Sequence, residues 1–255
     1  RSDIILREKI LSAGRSILEK RLVQSTGGNI SARTERGFLI TPSGIEYDKI
    51  LPQDLVELDM EGRVIEGTRN PSVERELHRI ILAKRADVNA VIHTHSIYVT
   101  SVASARLPLE PITDNQVAVF GGTVPLAKYG PIGSLKLAQN AAEALGSDGC
   151  GVLLANHRAF CRGRTIRPAF YRCLGAGAQD VFRQFGNIVG IQQCLFGLTE
   201  VGCSAANIRG GEKHTFRNVF KILLFLHALH QNRTNHAAPT NKTYFHNELL
   251  LRKRL

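Results

Sequence analysis

Apolar residues recur at helical spacing near the start of the chain. In DIILREKILSAGRSILEKRLV they fall at Ile4, Ile5, Ile10, Leu11, Ile17 and Leu18, which predicts a first helix. QSTGGNIS then reads as a glycine-rich turn. Phe38 to Thr41 reads as a short strand ending in a Pro-Ser-Gly turn, and LVELDMEGRVIEG as a hairpin around Glu61 and Gly62. NPSVERELHRIILAKR predicts a helix with Ser72 as its N-cap after Pro71, and with an apolar stripe of Val73, Leu77, Ile80 and Ile81. VNAVIHTHS follows as a buried strand and SIYVTSVASA as a helix. GGTVPLAKYG predicts a strand and a turn, GSLKLAQNAAEALG a helix, and GCGVLLANH a buried strand ending at His157. Short apolar strands and helices thus alternate up to about residue 185, the pattern of one α/β domain. From about Asn187 the pattern weakens, although FRNVFKILLFLHALH keeps a helical look.

Charge changes this picture in one place. The net charge of +11 suggests a nucleic-acid binder until it is mapped along the chain. Residues 1 to 157 hold 18 basic and 18 acidic residues; residues 158 to 255 hold 15 basic and 4 acidic. The excess therefore lies wholly in the last part, which lacks the aromatic–basic platform of a nucleic-acid reader. No apolar run approaches the ~20 residues that span a bilayer, and the first residues lack a signal-peptide core. A cytoplasmic protein is expected. The five cysteines (Cys150, Cys161, Cys173, Cys194, Cys203) include no CxxC pair, so reduced thiols are expected rather than a disulfide framework or a thiolate metal site.

The candidate chemistry centres on AVIHTHSIY. Alternation along a strand projects His93 and His95 from one face and Thr94 from the other. Two imidazoles side by side begin a metal site. His157, at the end of another buried strand, is a natural third ligand. Glu74, in the first turn of the helix after Ser72, sits where the helix dipole favours a carboxylate. It is a candidate metal ligand or a base beside the metal. Three small-residue loops, Thr26 to Ser31, Thr41 to Gly44 and Asn70 to Ser72, offer backbone N–H groups and hydroxyls suited to a phosphate.

Taken in order, GGNIS, FLITPSGI, NPSVE, DVNAVIHTHS, GG at 121 to 122 and LLANH resemble the class II aldolase/adducin family. The resemblance runs from roughly residue 5 to 187, about two-thirds of the chain, and implies a domain at residues 1–186; residues 187–255 form an atypical basic C-terminal segment without it. It implies a three-layer α/β/α sandwich with a largely antiparallel central sheet. It implies Zn2+, or another divalent metal, held by His93, His95 and His157, with Glu74 at the metal as ligand and acid/base residue. It implies a phosphate site built from Gly28, Asn29, Ser43, Gly44 and Ser72. The implied reaction is aldol cleavage of a ketose phosphate, of the fuculose 1-phosphate kind, to dihydroxyacetone phosphate and an aldehyde. A phosphorylated sugar is the implied partner and a homotetramer the implied assembly. Pentulose-5-phosphate 4-epimerases and keto-acid-phosphate decarboxylases share the fold, but the epimerases carry aspartate where this chain has Glu74. A non-catalytic adducin-like module would have no need of all three histidines. Three positions depart from the family pattern. Val73 replaces a second serine in the phosphate loop, and the 111 to 122 segment has no tyrosine acid, only Asp114. Arg158 stands where glycine is usual, and a strained positive φ is expected there.

Overall fold

The computed structural model describes residues 2–111 and 114–177. All of them fall within the compact unit Arg1–Phe185. The expectations for residues 187–255 lie outside the described residues.

Helix α1 (Ser2–Glu19) leads into β1 (Asn29–Arg33), β2 (Phe38–Ile40), β3 (Val56–Leu58) and β4 (Val64–Glu66). Then come α2 (Arg75–Lys84), β5 (Ala90–Thr94), α3 (Ile97–Ser104), α4 (Asp114–Phe120) and β6 (Leu126–Ala127). Helix α5 (Leu135–Leu145), β7 (Gly151–Leu154), β8 (Ala159–Gly163) and α6 (Ile166–Gly177) complete the described part. The strands form one sheet in the order β4-β3-β2-β1-β5-β8-β7-β6. Every pairing is antiparallel except β6 with β7.

Alternation along the strands splits the interior into two cores. Ile30, Leu39, Ile92, Leu153 and Cys161 pack against Ile10, Ile17, Val102 and Cys173 of α1, α3 and α6. Their sequence neighbours Phe38, Ile40, Val91, Val152 and Phe160 pack on the other face against Leu77, Ile81, Leu137 and Ala141 of α2 and α5. Helices therefore cover both faces, which is the expected three-layer sandwich. A fully buried side chain such as Ile92 or Leu153 contributes about 1.5–3 kcal/mol by leaving water. Helix α5 starts cleanly, because the Ser134 hydroxyl accepts the backbone N–H of Leu137 at 3.1 Å.

Several local expectations are corrected. GGNIS is not all turn: Asn29 opens β1, a central strand hidden in the sequence by its polar residues. PITDNQVAVF contains α4, and AFCRG forms β8, which folds back on β7. Ser72 does not cap α2. The helix begins at Arg75 with Glu74 at the N-cap position, and the Ser72 hydroxyl instead takes the Glu74 backbone N–H at 3.3 Å. Val73 is no part of the apolar stripe, being 57 % exposed, and Ile4 and Ile5 also face solvent. Among the described residues Cys150, Cys161 and Cys173 are free thiols, with Cys161 and Cys173 buried and Cys150 half-buried. No helix among the described residues is long and apolar enough to cross a membrane.

Candidate metal centre

The site is assembled on the α2–α5 face. Register places Asn29 of β1 beside His93 of β5, and His93 beside Phe160 of β8. One row across the sheet thus carries Asn29, His93 and Phe160. Phe160 stacks on the His93 ring, with centroids 4.2 Å apart. The strand ends at Thr94, so His95 follows it rather than ending it; its ring still meets His93 edge-on at 4.7 Å. His157 also lies beyond its strand. Strand β7 stops at Leu154, and a tight turn carries His157 back over the sheet, with its N–H bonded to the Leu154 carbonyl at 2.9 Å. The left-handed residue in that turn is Asn156 (φ 56°), not Arg158, so the expected strain at Arg158 is absent. Asparagine tolerates that conformation far better than arginine would.

Glu74, His93, His95 and His157 converge, each offering one ligand atom, all within 4.8 Å of one another. Glu74 Oε2 lies 3.1 Å from His93 Nε2, and Oε1 lies 3.5 Å from His157 Nε2. His93 Nε2 and His95 Nε2 are 2.9 Å apart. The hydrogen bonds around them fix where the lone pairs point. His93 Nδ1 donates to the Ala159 carbonyl at 3.0 Å, leaving Nε2 bare. The Gly28 backbone N–H donates to His95 Nε2 at 3.3 Å, so that nitrogen is an acceptor as well. Two imidazole lone pairs and a carboxylate oxygen therefore face one another with no proton of their own between them. Glu74 Oε1 and His157 Nδ1 are buried without a hydrogen-bond partner. Such a set repels itself unless a cation sits in its midst. A tetrahedral zinc with bonds of ~2.0–2.1 Å places its ligand atoms roughly 3.4 Å apart, so the residues fit a divalent ion of that kind.

Burial tunes the groups in the same direction. Desolvation, helped by the Arg158 charge, lowers His95 to about 3 and His157 to about 4. Desolvation and its two histidine neighbours push His93 well below its usual value. All three are neutral, as ligands must be. Burial raises Glu74, opposed by the Asn29 amide and by Arg158. The glycine pair is explained by close approach. A Cβ on Gly27 would lie 2.5 Å from His95 Nδ1, and one on Gly28 (φ +79°) would lie 2.7 Å from the His93 carbonyl. Gly27 was not among the expected site residues.

Residues 8–176 match the family described as Class II Aldolase and Adducin N-terminal domain. The chain belongs to this family. A 5-deoxy-D-ribulose 1-phosphate aldolase of Bacillus thuringiensis serovar kurstaki is 41% identical over 166 residues, 64% of this chain and 77% of its own length. A 5-methylthioribulose-1-phosphate/5-deoxyribulose-1-phosphate aldolase of Rhodospirillum rubrum is 38% identical over 170 residues, 66% of this chain and 75% of its own. Among solved structures, an L-fuculose 1-phosphate aldolase superposes with a TM-score of 0.64 at 31% identity, covering 85% of this chain and 96% of the other. This class II aldolase family member is accordingly an enzyme of the lyase type.

Its small-residue loops lie beside the cluster. Pro42 bridges to Pro71, and the Ser43 N–H bonds to the Asn70 carbonyl at 2.9 Å, so the TPSG and NPS loops adjoin. Ser43 and Gly44 are exposed at this junction and Ser72 is buried under it. Gly44 takes φ +75° with open space where a side chain would be. Asn29 is committed differently: its Nδ2 donates to Glu74 Oε2 at 2.9 Å, and its Oδ1 meets His78 Nε2 at 2.5 Å. His78 was not expected at the site. Its spacing of four from Glu74, one turn along the same helix face, is the signal that marks it.

Proposed function

We propose that this protein is a zinc-dependent aldolase that cleaves a ketose 1-phosphate between C3 and C4 into dihydroxyacetone phosphate and an aldehyde. The observation that carries this reading is the convergence of the unprotonated Nε2 atoms of His93 and His95 with Glu74 and His157. These four residues would hold the metal. When bound, it supplies Lewis-acid stabilisation of the negative charge that bond cleavage leaves on the three-carbon phosphate half.

The chain's own groups do the rest. In the condensing direction Glu74 takes the C3 proton of dihydroxyacetone phosphate, and in cleavage it returns that proton. Its unpartnered Oε1 and its upward-shifted pKa suit that exchange. The Gly28 and Gly44 N–H groups and the Ser43 and Ser72 hydroxyls hold the phosphate, with the Asn29 amide beside them committed to Glu74 and His78, so that binding energy goes into positioning the three-carbon half. With His95 Nε2 given to the metal, the Gly28 N–H that now donates to it would be free for this purpose. Residues 1–186 form the catalytic domain in this reading, residues 187–255 an accessory basic segment, and the enzyme works as a cytoplasmic homotetramer. The 41% and 38% identities to aldolases of 5-deoxypentulose 1-phosphates favour a five-carbon 5-deoxy substrate over fuculose 1-phosphate.

The test is metal content of the purified protein beside His95→Ala, followed by release of dihydroxyacetone phosphate from 5-deoxyribulose 1-phosphate and from fuculose 1-phosphate. About one zinc per chain, lost in the variant, and zinc-dependent cleavage are expected. A zinc-loaded protein that cleaves neither sugar would refute the reading.

A further inference from the structure

Behind Glu74 runs a buried chain of hydrogen bonds through Asn29 and His78 to Ser31. His78 is 0 % exposed and lies on α2, one turn beyond Glu74. Its Nδ1 meets the Ser31 hydroxyl at 2.7 Å, and its Nε2 meets Asn29 Oδ1 at 2.5 Å. Asn29 and Ser31 are two apart on β1, so both project from the sheet face that carries His93. The Phe160 ring closes the remaining side of His78 at 5.3 Å.

The donors in this chain are ordered from the carboxylate end. Glu74 Oε2 accepts, so Asn29 presents its amide N–H to it and its carbonyl oxygen to His78. A carbonyl there requires a proton on His78 Nε2. Nδ1 is then bare and accepts from the Ser31 hydroxyl, which can donate or accept. Were His78 protonated on Nδ1 alone, its bare Nε2 would draw the amide group of Asn29, turning the carbonyl against the Glu74 carboxylate. Burial holds the imidazole neutral, lowered to about 3, so one tautomer decides the matter. A residue that only filled space here would be apolar, because a buried imidazole without partners is costly.

We propose that His78 is a positioning residue that acts through Asn29 to aim Glu74 at the metal centre. This rests on the reading of Glu74, His93, His95 and His157 as that centre. Outer partners of metal ligands commonly change metal affinity or activity by about 10–100-fold.

Two substitutions separate aiming from mere support. His78→Gln keeps a donor close to the Nε2 position. His78→Asn keeps a polar group at the Nδ1 position and loses the donor to Asn29. The zinc dissociation constant by chelator competition, kcat and KM for the cleaved sugar phosphate, and the melting temperature are measured for both and for the unaltered protein. Zinc binding about tenfold weaker in His78→Asn, with kcat reduced more than KM is changed and His78→Gln close to the unaltered protein, is expected. Equal zinc affinity in the two variants and the unaltered protein, or equal losses in both variants, overturns the inference while leaving the metal centre standing. An unaltered protein that binds no zinc overturns both. His78→Leu removes the same donor and replaces His78→Asn if that variant does not fold.

Discussion

Acid should unfold the metal-free protein well above the pH at which carboxylates are protonated. His78, His95 and His157 are held neutral by burial, at about 3, about 3 and about 4, against an ordinary value of 6.5 in the unfolded chain. Below pH 6.5 the unfolded chain therefore binds protons that the folded one refuses. The stability these groups contribute is complete above 6.5 and is lost as pH falls towards 4. Each group costs about 1.4 kcal/mol per pH unit in that window. Between pH 7.5 and 5.5 the three together remove about 4 kcal/mol. Glu74 works the other way, because its raised pKa lets the folded state take up a proton as pH falls, which trims the loss. Against a total of about 5–15 kcal/mol the histidine contribution is a large fraction, and by itself it corresponds to a fall of roughly 8–16 °C in melting temperature. The assay is thermal melting, followed by circular dichroism, of chelator-treated protein at the two pH values, repeated with zinc restored. Zinc should raise the melt at pH 7.5 and steepen its fall with acid, since protons compete for the same nitrogens. A chelator-treated melt that moves by less than about 2 °C between pH 7.5 and 5.5 would show that these imidazoles are not held neutral, and would remove the electrostatic case for the centre.

Three further outcomes are expected. Glu74→Gln should leave the protein folded and lower kcat by about 100-fold or more, measured as dihydroxyacetone phosphate release, because the amide cannot exchange the C3 proton. Val73→Ser places a hydroxyl at an exposed position of the phosphate loop, and should lower KM for the sugar phosphate by up to about tenfold, the worth of one hydrogen bond to a charged group; an unchanged KM would mean that the loop does not hold the phosphate. Arg158→Gly removes a half-buried cation whose charge reaches Glu74, His95 and His157. It should tighten zinc binding several-fold in chelator competition, since like charges repel across a partly desolvated site.

The sequence by itself determined the alternation of helices and strands and singled out Glu74, His93, His95 and His157 as candidate ligands. Apolar periodicity marks α1, α2, α3, α5, β5 and β7 because each buries a face, and burial leaves a period of two or 3.6. Imidazoles two apart at the end of an apolar run, with a third histidine after GVLL, are legible as a candidate set because strand alternation puts the first two on one face. The tertiary structure alone decided the rest. Strand β1 is invisible to periodicity because Asn29 and Ser31 use their core-facing positions for hydrogen bonds to His78 rather than for apolar packing. Strand β8 and the turn that carries His157 depend on pairing across the sheet, which no local window contains. The glycine pair reads as a phosphate loop in one dimension. In three, it is also the space that lets His95 come close. Ser72 shows the same limit: its sequence is that of a helix cap, yet its hydroxyl serves the turn that aims Glu74. Local propensity fixes which segments form. Which side chains meet is fixed by register and close approach, and the candidate metal centre is made of such meetings.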